Sequence, residues 1–373
     1  MEKIVVIGAN EFQNMLILKA KEMGYETHVF AWASGDIGER NADYFYPISI
    51  TEKEAILEEC RKIKPAGVVS IGSDLAVHTV CYVSEQLGLT SNRAADMVAC
   101  TNKYEMRGRF KAAGLPTPGF CKVREDMSGL DLSCLHFPVI VKPTDRSGSR
   151  GIMRVTRPED LPAAVEFATK DAFEKCAIVE DYIEGPEYSM ESISYEGEHH
   201  FLAMTKKYTT GAPHFIETGH CQPSDLSKEQ EQKAITTVFS ALDALNIRFG
   251  ASHAEFRVDP QGEVRIIEIG ARMGGDCIGS DLVRISTGYD FVKMAIDVAC
   301  GRKPEIRRIG TPKLAEIRFI FNKTDLERLE KVKREEPENI WRISEIAPVE
   351  SHEVTDSASR FGYYIMARPF AEN

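Results

Sequence analysis

Several classes of protein are excluded by what the sequence lacks. No stretch contains the roughly 18 consecutive apolar residues that a membrane-spanning helix needs. The nine cysteines form no Cys-x-x-Cys pair, which argues against a structural zinc site, and their odd number argues against a complete disulfide framework. The sequence has fewer basic than acidic residues, 46 Lys and Arg against 57 Asp and Glu, which gives a net charge of −11. This balance argues against broad contact with nucleic acid or an anionic membrane surface.

Two nucleotide-binding motifs are also missing. The turn after the first strand, Gly8–Gln13, lacks the Gly-x-Gly-x-x-Gly pattern of dinucleotide-binding domains, and the P-loop pattern GxxxxGK[ST] does not occur. The chain begins directly with a strand-like segment, without the long apolar region of a secretory leader. With its unpaired thiols, this predicts a cytoplasmic location without nucleic-acid or membrane partners.

What the chain does contain is an alternation of strands and helices in its first ninety residues. The spacing of apolar residues predicts a parallel sheet of the α/β class. Its strands are Lys3–Ile7, Glu26–Trp32 and Gly67–Ile71, and its helices Phe12–Met23, Ala55–Ile63 and Leu75–Leu87. Ser73 and Asp74 follow the third strand, where ligands often bind in open sheets, although a simple helix N-cap explains them better. A total of 373 residues leaves room for two or three domains.

The segment Ser252–Asp276 predicts a β-hairpin around the turn Asp259–Gly262. If Val258 faces Glu263, then Glu255 lies opposite Ile266, and Glu268 shares its face of the sheet. The two carboxylates would then be diagonal neighbours, with Cα atoms roughly 7–8 Å apart, which suits a hard metal ion. An odd-length loop would instead put them on opposite faces. An ordinary hairpin with solvated charges fits the stretch equally well.

Two segments place lysines beside loops or helix ends. Lys103 lies in the first turn of a helix capped at Asn102, where a cation opposes the helix dipole unless it meets an anion. Lys142 ends a buried strand and leads into Thr144–Gly151, a Gly-, Ser- and Arg-rich loop of the kind that can fold backbone N–H groups around phosphate. A flexible hairpin tip is an equally good interpretation of that loop. A later strand ends in the acidic segment Glu180–Tyr188, which suits either hydrogen bonds to a nucleoside or plain surface charge.

The order of these segments resembles the ATP-grasp superfamily, in particular its carboxylate–amine ligases. The resemblance covers roughly residues 1–300 and rests on four segments in family order: NKYEMRGRFKAAGLPTP, FPVIVKPTDRSGSRGI, IVEDYIEGPEYSMES and AEFRVDPQGEVRIIEIGARMGGD. It implies an α/β and α+β architecture. A Rossmann-like preATP-grasp domain would span residues 1–92, a two-subdomain ATP-grasp domain 93–305 with a lid at about 115–185, and a small C-terminal domain 306–373.

The resemblance also implies roles for individual residues. Lys103 and Lys142 match the lysines that hold ATP phosphates, and the loop over the phosphates corresponds to Ser147, Gly148, Ser149 and Gly151. Glu180 would lie near the adenine amino group, Ile183 would offer its backbone to adenine, and Glu187 would bind ribose. Glu255 and Glu268 match magnesium ligands, with Mn²⁺ as an alternative metal. Arg272 matches the arginine near the transferred phosphoryl group. Many relatives carry Asn where this chain has Gly270, so the number of metal ions stays open.

The segment Thr205–His220 resembles the substrate-facing stretch of amino-acid ligases in the superfamily. Glu217 would bind a substrate ammonium, and His220 would orient a carboxylate or act as a base. We therefore expect an ADP-forming ligase that joins a small-molecule carboxylate to an amine through an acyl phosphate, with a homodimer as one option for its assembly. The alternatives are a carboxyphosphate-forming carboxylase or carbamoyl-phosphate-type ligase, and a catalytically silent nucleotide-binding sensor.

Overall fold

A computed structural model describes residues 1–370 and contains three β-sheets. The strands are β1 Lys3–Ile7, β2 Glu26–Phe30, β3 Tyr44–Tyr46, β4 Gly67–Val69, β5 Phe120–Arg124, β6 Val139–Pro143, β7 Met153–Val155, β8 Cys176–Asp181, β9 Glu187–Tyr195, β10 Glu198–Thr209, β11 Glu217–Gln222, β12 Gly250–Val258, β13 Val264–Gly270, β14 Leu314–Phe319, β15 Ile340–Ile343 and β16 Tyr363–Arg368. The α-helices are α1 Glu11–Glu22, α2 Ile37–Asn41, α3 Lys53–Ile63, α4 Asp74–Leu87, α5 Val98–Thr101, α6 Lys103–Ala112, α7 Leu161–Asp171, α8 Lys228–Ala244, α9 Val283–Thr287, α10 Phe291–Ala299 and α11 Lys323–Glu335.

The first sheet has the order β3-β2-β1-β4 and is parallel throughout, as the alternation of strands and helices predicts. Its central strand β1 is almost wholly buried, which is typical of parallel strands covered on both faces. The N-cap expected at the start of α4 is present, since Ser73 accepts from one backbone N–H group there, and Asn10 accepts from two at the start of α1. The short elements α2 and β3 were not predicted.

The second sheet, which we call the lid sheet, is antiparallel with the order β5-β8-β6-β7 and lies within the predicted lid. Helix α7 packs on it and closes a small core of its own. The loop Thr144–Gly151 connects β6 to β7, so it lies at one end of this sheet.

The third sheet has eight strands in the order β13-β12-β9-β10-β11-β14-β16-β15. Apolar side chains of β9, β10, β12 and β13 pack with α6 and α8 into one core. Strands β14, β16 and β15 extend the same sheet, although they belong to the predicted C-terminal domain. The domain boundaries at residues 92 and 305 therefore stay a prediction. No helix within residues 1–370 is both long and apolar enough to cross a membrane.

The register of the hairpin β12–β13 differs from the prediction. Val258 pairs with Val264, not with Glu263, and a bulge follows further along the hairpin. Beyond the bulge, Glu255 pairs directly with Glu268, where the prediction had Ile266 opposite Glu255 and the glutamates diagonal. The physical reason is that the loop and the bulge each add one residue, so the two shifts together preserve the face. The prediction that both carboxylates share one face is confirmed.

Candidate functional site

Two clefts meet beside the hairpin β12–β13. The first, of about 1000 Å³, lies between the lid sheet and the eight-stranded sheet. The second, of about 1650 Å³, lies between the first parallel sheet, the hairpin and the C-terminal segment around residues 344–363. The side chains and loop residues that border both clefts are Ser147, Gly148, Arg150, Glu217, His253, Glu255 and Arg272. A ligand in one cleft would therefore be within reach of a ligand in the other.

Glu255 and Glu268 form a cross-strand carboxylate pair at this junction. Lys207 Nζ lies 2.5 Å from Glu255 Oε1, and Lys103 Nζ lies 3.0 Å from Glu268 Oε1. Burial would raise the pKa of Glu255, but the Lys207 ammonium and the His253 ring hold that pKa well below its usual value. The Glu255 carboxylate thus remains charged, and carboxylate oxygens such as those of this pair are suitable ligands for a hard cation.

The donor set at this pair fits Mg²⁺. No group of three or more His, Cys, Asp or Glu side chains with metal-binding geometry exists among residues 1–370. Mg²⁺ keeps several waters and is commonly held by one or two carboxylates together with substrate phosphates, so two glutamates next to a phosphate site suffice. An all-protein cage, as Ca²⁺ prefers, is not found in this part of the chain.

Inside the first cleft, Glu180 is the centre of a buried charge cluster. Its carboxylate binds Arg107 Nε at 2.8 Å and Lys142 Nζ at 2.6 Å. Burial alone would raise the pKa of Glu180, but the two cations lower it to about 2. Burial, together with Arg107 and Lys103, holds the pKa of Lys142 below its usual value despite Glu180. Because both oxygens of Glu180 have cationic partners, the structure gives it a role in positioning Lys142, and its contact with adenine stays a prediction.

The far end of the first cleft contains the residues expected to meet the nucleoside. The Ile183 carbonyl oxygen accepts a hydrogen bond from Arg257 at 2.9 Å, and Glu187 lies 3.1 Å from the same guanidinium. Arg257 also stacks over the Tyr182 ring at 5.1 Å. Arg257 therefore ties together the backbone and the carboxylate predicted to bind adenine and ribose.

The loop between β6 and β7 folds over the first cleft. Lys103 donates to the Arg146 carbonyl oxygen at 2.6 Å, and the Ser149 hydroxyl lies 3.3 Å from Glu217 across the cleft. Ser149 adopts a positive φ of 58°, so the loop is sharply bent at this residue. Gly151 borders neither cleft: a Cβ at this position would lie 2.9 Å from the Pro143 ring, so glycine allows close packing there.

Arg272 follows β13 and lies at the junction of the clefts. Its Nε and Nη2 donate to the two oxygens of Asp74 at 2.8 and 3.0 Å, and Nη1 donates to the Met273 carbonyl at 3.3 Å. A guanidinium has five N–H donors, so two remain for a ligand. Asp74 comes from the first turn of α4, after the Ser73 N-cap, and thus anchors a residue of the junction to the first parallel sheet.

The second cleft is bordered by a histidine without a hydrogen-bond partner. His220 is 1% exposed, and neither ring nitrogen has a hydrogen-bond partner among residues 1–370. Burial lowers its pKa, and Asp276 Oδ2 lies 3.5 Å from Nε2. Asp276 is held in turn by Arg360 in a two-oxygen contact of 2.6 and 2.9 Å. On the same side, Glu217 accepts from Ser357 of the C-terminal segment.

Part of the chain matches a known protein family. Residues 135–281 match the ATP-grasp domain family. The chain contains an ATP-grasp domain. The alanine–anticapsin ligase of Bacillus subtilis (strain 168) is 26% identical over 69% of this chain and 61% of its own length. D-alanine–D-alanine ligase B of Chromobacterium violaceum is 32% identical over 46% of this chain and 57% of its own length. The chain thus spans between 54% and 61% of the first curated relatives that it matches.

The likeness to a solved structure extends over nearly the whole chain. The crystal structure of an L-amino acid ligase from Bacillus licheniformis superposes with a TM-score of 0.81 at 22% identity, covering 99% of this chain and 93% of that one. At this identity the likeness shows the fold. The fold class and the ATP-grasp resemblance inferred from the sequence are therefore confirmed.

Most residues that the ATP-grasp resemblance singles out lie in the clefts. Those bordering the first cleft are Lys103, Lys142, Ser147, Gly148, Ser149, Glu180, Ile183, Glu187, Glu217, Glu255, Glu268 and Arg272, and His220 borders the second. Their contacts with ligands stay predictions. The sequence reasoning missed Arg107, Lys207, His253 and Arg257. One signal was available for Lys207: adjacent lysines in a strand point to opposite faces, so one of Lys206 and Lys207 points to the covered face of any strand that has one.

Proposed function

We propose that this chain is an ATP-dependent carboxylate–amine ligase that forms an amide or peptide bond and releases ADP and phosphate. The observation that carries the proposal is the meeting of the two clefts at Glu255 and Arg272. One cleft offers cations and a bent Gly- and Ser-rich loop to a nucleotide, and the other offers room and paired charges to the substrates. The ligase names of the relatives agree with this assignment.

In the proposed first step, a substrate carboxylate oxygen attacks the γ-phosphorus of ATP. A P–O bond to the substrate forms as the P–O bond to ADP breaks, which gives an acyl phosphate. Lys103, Lys142 and the loop Ser147–Ser149 hold the phosphates in line, and Arg272 donates to the transferred group. Glu255 and Glu268 would hold a magnesium ion, which would supply charge neutralisation for the phosphates.

In the second step, the nitrogen of an amine attacks the acyl carbon. The C–N bond forms, the C–O bond to phosphate breaks, and the amine loses a proton. Glu217 would bind the substrate ammonium, and neutral His220 would orient a carboxylate or accept the proton. The contact between Ser149 and Glu217 holds the loop over the first cleft, which would help exclude water from the acyl phosphate.

The test is product mass spectrometry with the purified chain, ATP, Mg²⁺ or Mn²⁺, and pools of amino acids. We expect ADP release that needs both a carboxylate and an amine, and a product whose mass equals their sum minus water. ADP release driven by bicarbonate would replace this proposal with a carboxyphosphate route, and ATP binding without turnover with every amino-acid pool would indicate a sensor.

Light scattering on the same preparation tests whether the chain forms a homodimer. The nine free cysteines suit the proposed cytoplasmic location.

A further inference from the structure

A buried ion pair lies beneath the carboxylates of the candidate site. Glu191 of β9 and His253 of β12 are directly opposite each other in the eight-stranded sheet, and Glu191 Oε1 contacts His253 Nδ1. Their side chains are 0% and 5% exposed. None of the roles proposed above uses either residue.

Each partner of this pair also holds a second part of the site. The other ring nitrogen of His253, Nε2, lies 3.2 Å from Glu255 Oε1. The other oxygen of Glu191, Oε2, accepts the backbone N–H of Gly274 at 2.9 Å. Gly274 lies two residues after Arg272, in the segment that leaves β13. The pair therefore connects a candidate metal ligand with the backbone that carries the candidate phosphoryl-binding arginine.

The packing around the pair is tight and specific. A Cβ atom on Gly274 would lie 2.6 Å from Glu191 Oε1 and 2.8 Å from His253 Nδ1, closer than such atoms approach in proteins. The adjacent cross-strand pair, Ser192 and Ser252, is joined by a neutral hydrogen bond of 2.6 Å. A neutral side-chain pair therefore already joins strands β9 and β12 one residue away. Since a buried ion pair is itself weak evidence for a stabilising role, stability does not explain why Glu191 and His253 are charged residues.

The contacts of Glu255 indicate how the Glu191–His253 pair could orient its carboxylate. Its Oε1 atom has two donors, Lys207 at 2.5 Å and His253 at 3.2 Å. Two donors on one oxygen fix the rotation of the carboxylate and leave Oε2 for a cation. Lys207 reaches Glu255 from β10, two strands away in the sheet, and also contacts two other glutamates, whereas His253 lies on the same strand as Glu255 and is itself held by Glu191.

We propose that Glu191 and His253 are positioning residues that orient the Glu255 carboxylate for magnesium and fix the backbone after Arg272. This inference rests on the proposed function, because it takes Glu255 as a magnesium ligand. Partners that orient a metal ligand typically contribute 10- to 100-fold to metal affinity. We expect a loss of that size when the charge of Glu191 is removed.

The experiment measures the apparent Mg²⁺ affinity of the ADP-saturated protein by calorimetric titration, and ADP affinity in EDTA. Glu191→Gln should weaken Mg²⁺ binding about 10- to 100-fold and leave ADP affinity in EDTA within about twofold of wild type. Ser192→Ala is the matched control, since it removes the neighbouring buried hydrogen bond and should change neither quantity. If Glu191→Gln is insoluble, His253→Gln tests the same positioning of the Glu255 carboxylate. The two ring nitrogens of His253 bridge Glu191 and Glu255, and a glutamine amide does not reproduce that bridge.

A third variant separates the inference from the function on which it rests. Glu268→Gln removes a proposed ligand without touching the pair. If it loses Mg²⁺ affinity while Glu191→Gln and His253→Gln keep it, the positioning role is wrong and the metal site stands. If all three bind Mg²⁺ as wild type does, the metal site and the positioning role both fall. A Glu191→Gln protein that loses ADP affinity equally in EDTA and in Mg²⁺ would show a structural role and overturn the inference.

Discussion

Replacing Arg272 by lysine tests whether this arginine acts on the transferred phosphoryl group or only holds the fold. In the structure, one edge of the guanidinium is committed to Asp74, and one further N–H donates to the Met273 carbonyl. Two N–H groups remain for a ligand in the clefts. A lysine ammonium keeps the charge, but its three donors radiate from one atom, so it cannot hold Asp74 and grip two ligand oxygens at once.

The expected magnitudes follow from these contacts. The loss of one preorganised donor to a developing charge costs about 2.7–4 kcal/mol, or roughly 100- to 1000-fold in kcat. The loss of one of two charge-assisted hydrogen bonds to Asp74 costs about 1.5–3 kcal/mol of stability. ATP affinity should change little, because the proposed phosphate ligands Lys103 and Lys142 remain in the first cleft.

The assay measures kcat, ATP affinity and Tm on one preparation of Arg272→Lys. Arg302→Lys is the matched control, because Arg302 also holds an aspartate, Asp297, through two nitrogens but borders neither cleft. The control should lower Tm with little change in kcat. The reasoning fails if Arg272→Lys keeps more than about a tenth of wild-type kcat while losing stability, since the arginine would then only anchor the chain to Asp74.

Two further predictions concern the nucleotide cleft and the second cleft. Lys142→Ala should reduce the rise in Tm that ATP produces, because a proposed phosphate contact is lost. Lys122→Ala is the control: it removes an exposed ion pair from the same sheet and should leave the ATP-induced rise in Tm unchanged. Equal rises in Tm in all three proteins would exclude Lys142 from the phosphate site. Burial lowers the pKa of His220, so unfolding takes up a proton below about pH 6.5. In urea denaturation, wild type should therefore lose stability relative to His220→Asn as the pH falls from 7.5 to 5.5, by at most about 1.4 kcal/mol per pH unit. Parallel stability curves for the two proteins would contradict this.

Local patterns were enough to predict the first parallel sheet, whereas the shared face of Glu255 and Glu268 was predicted from a register that the structure does not have. The loop from Asp259 to Glu263 has an odd length, which by itself puts the two carboxylates on opposite faces. A bulge at Ile267 shifts the ladder by one more residue and returns them to one face. Nothing in the sequence marks this bulge, since Ile267 is an ordinary strand residue.

The partners of the charged residues were beyond sequence reasoning for a different reason. Arg107 and Glu180, or Asp74 and Arg272, come from separate elements that meet only when the sheets assemble. A lone Arg in a helix or Asp after an N-cap is ordinary in sequence. Burial then decides: Arg107 is fully buried, so its charge must be compensated, and the compensating carboxylate turns out to be the residue predicted for adenine.

Lys207 illustrates how one buried charge serves several parts of the site. Its ammonium lies 2.5 Å from Glu255, 3.3 Å from Glu187 and 3.7 Å from Glu217. Burial would lower the pKa of Lys207, but the three carboxylates raise it, so the side chain stays charged. Arg257 neutralises Glu187, which leaves Lys207 to be shared by Glu255 and Glu217. Two carboxylates around one ammonium keep a negative charge, and a magnesium ion at Glu255 or a substrate ammonium at Glu217 would each reduce it. Binding of one cation would therefore make the cluster less attractive for the other, so the charge balance around Lys207 should couple the proposed metal site to the proposed amine site.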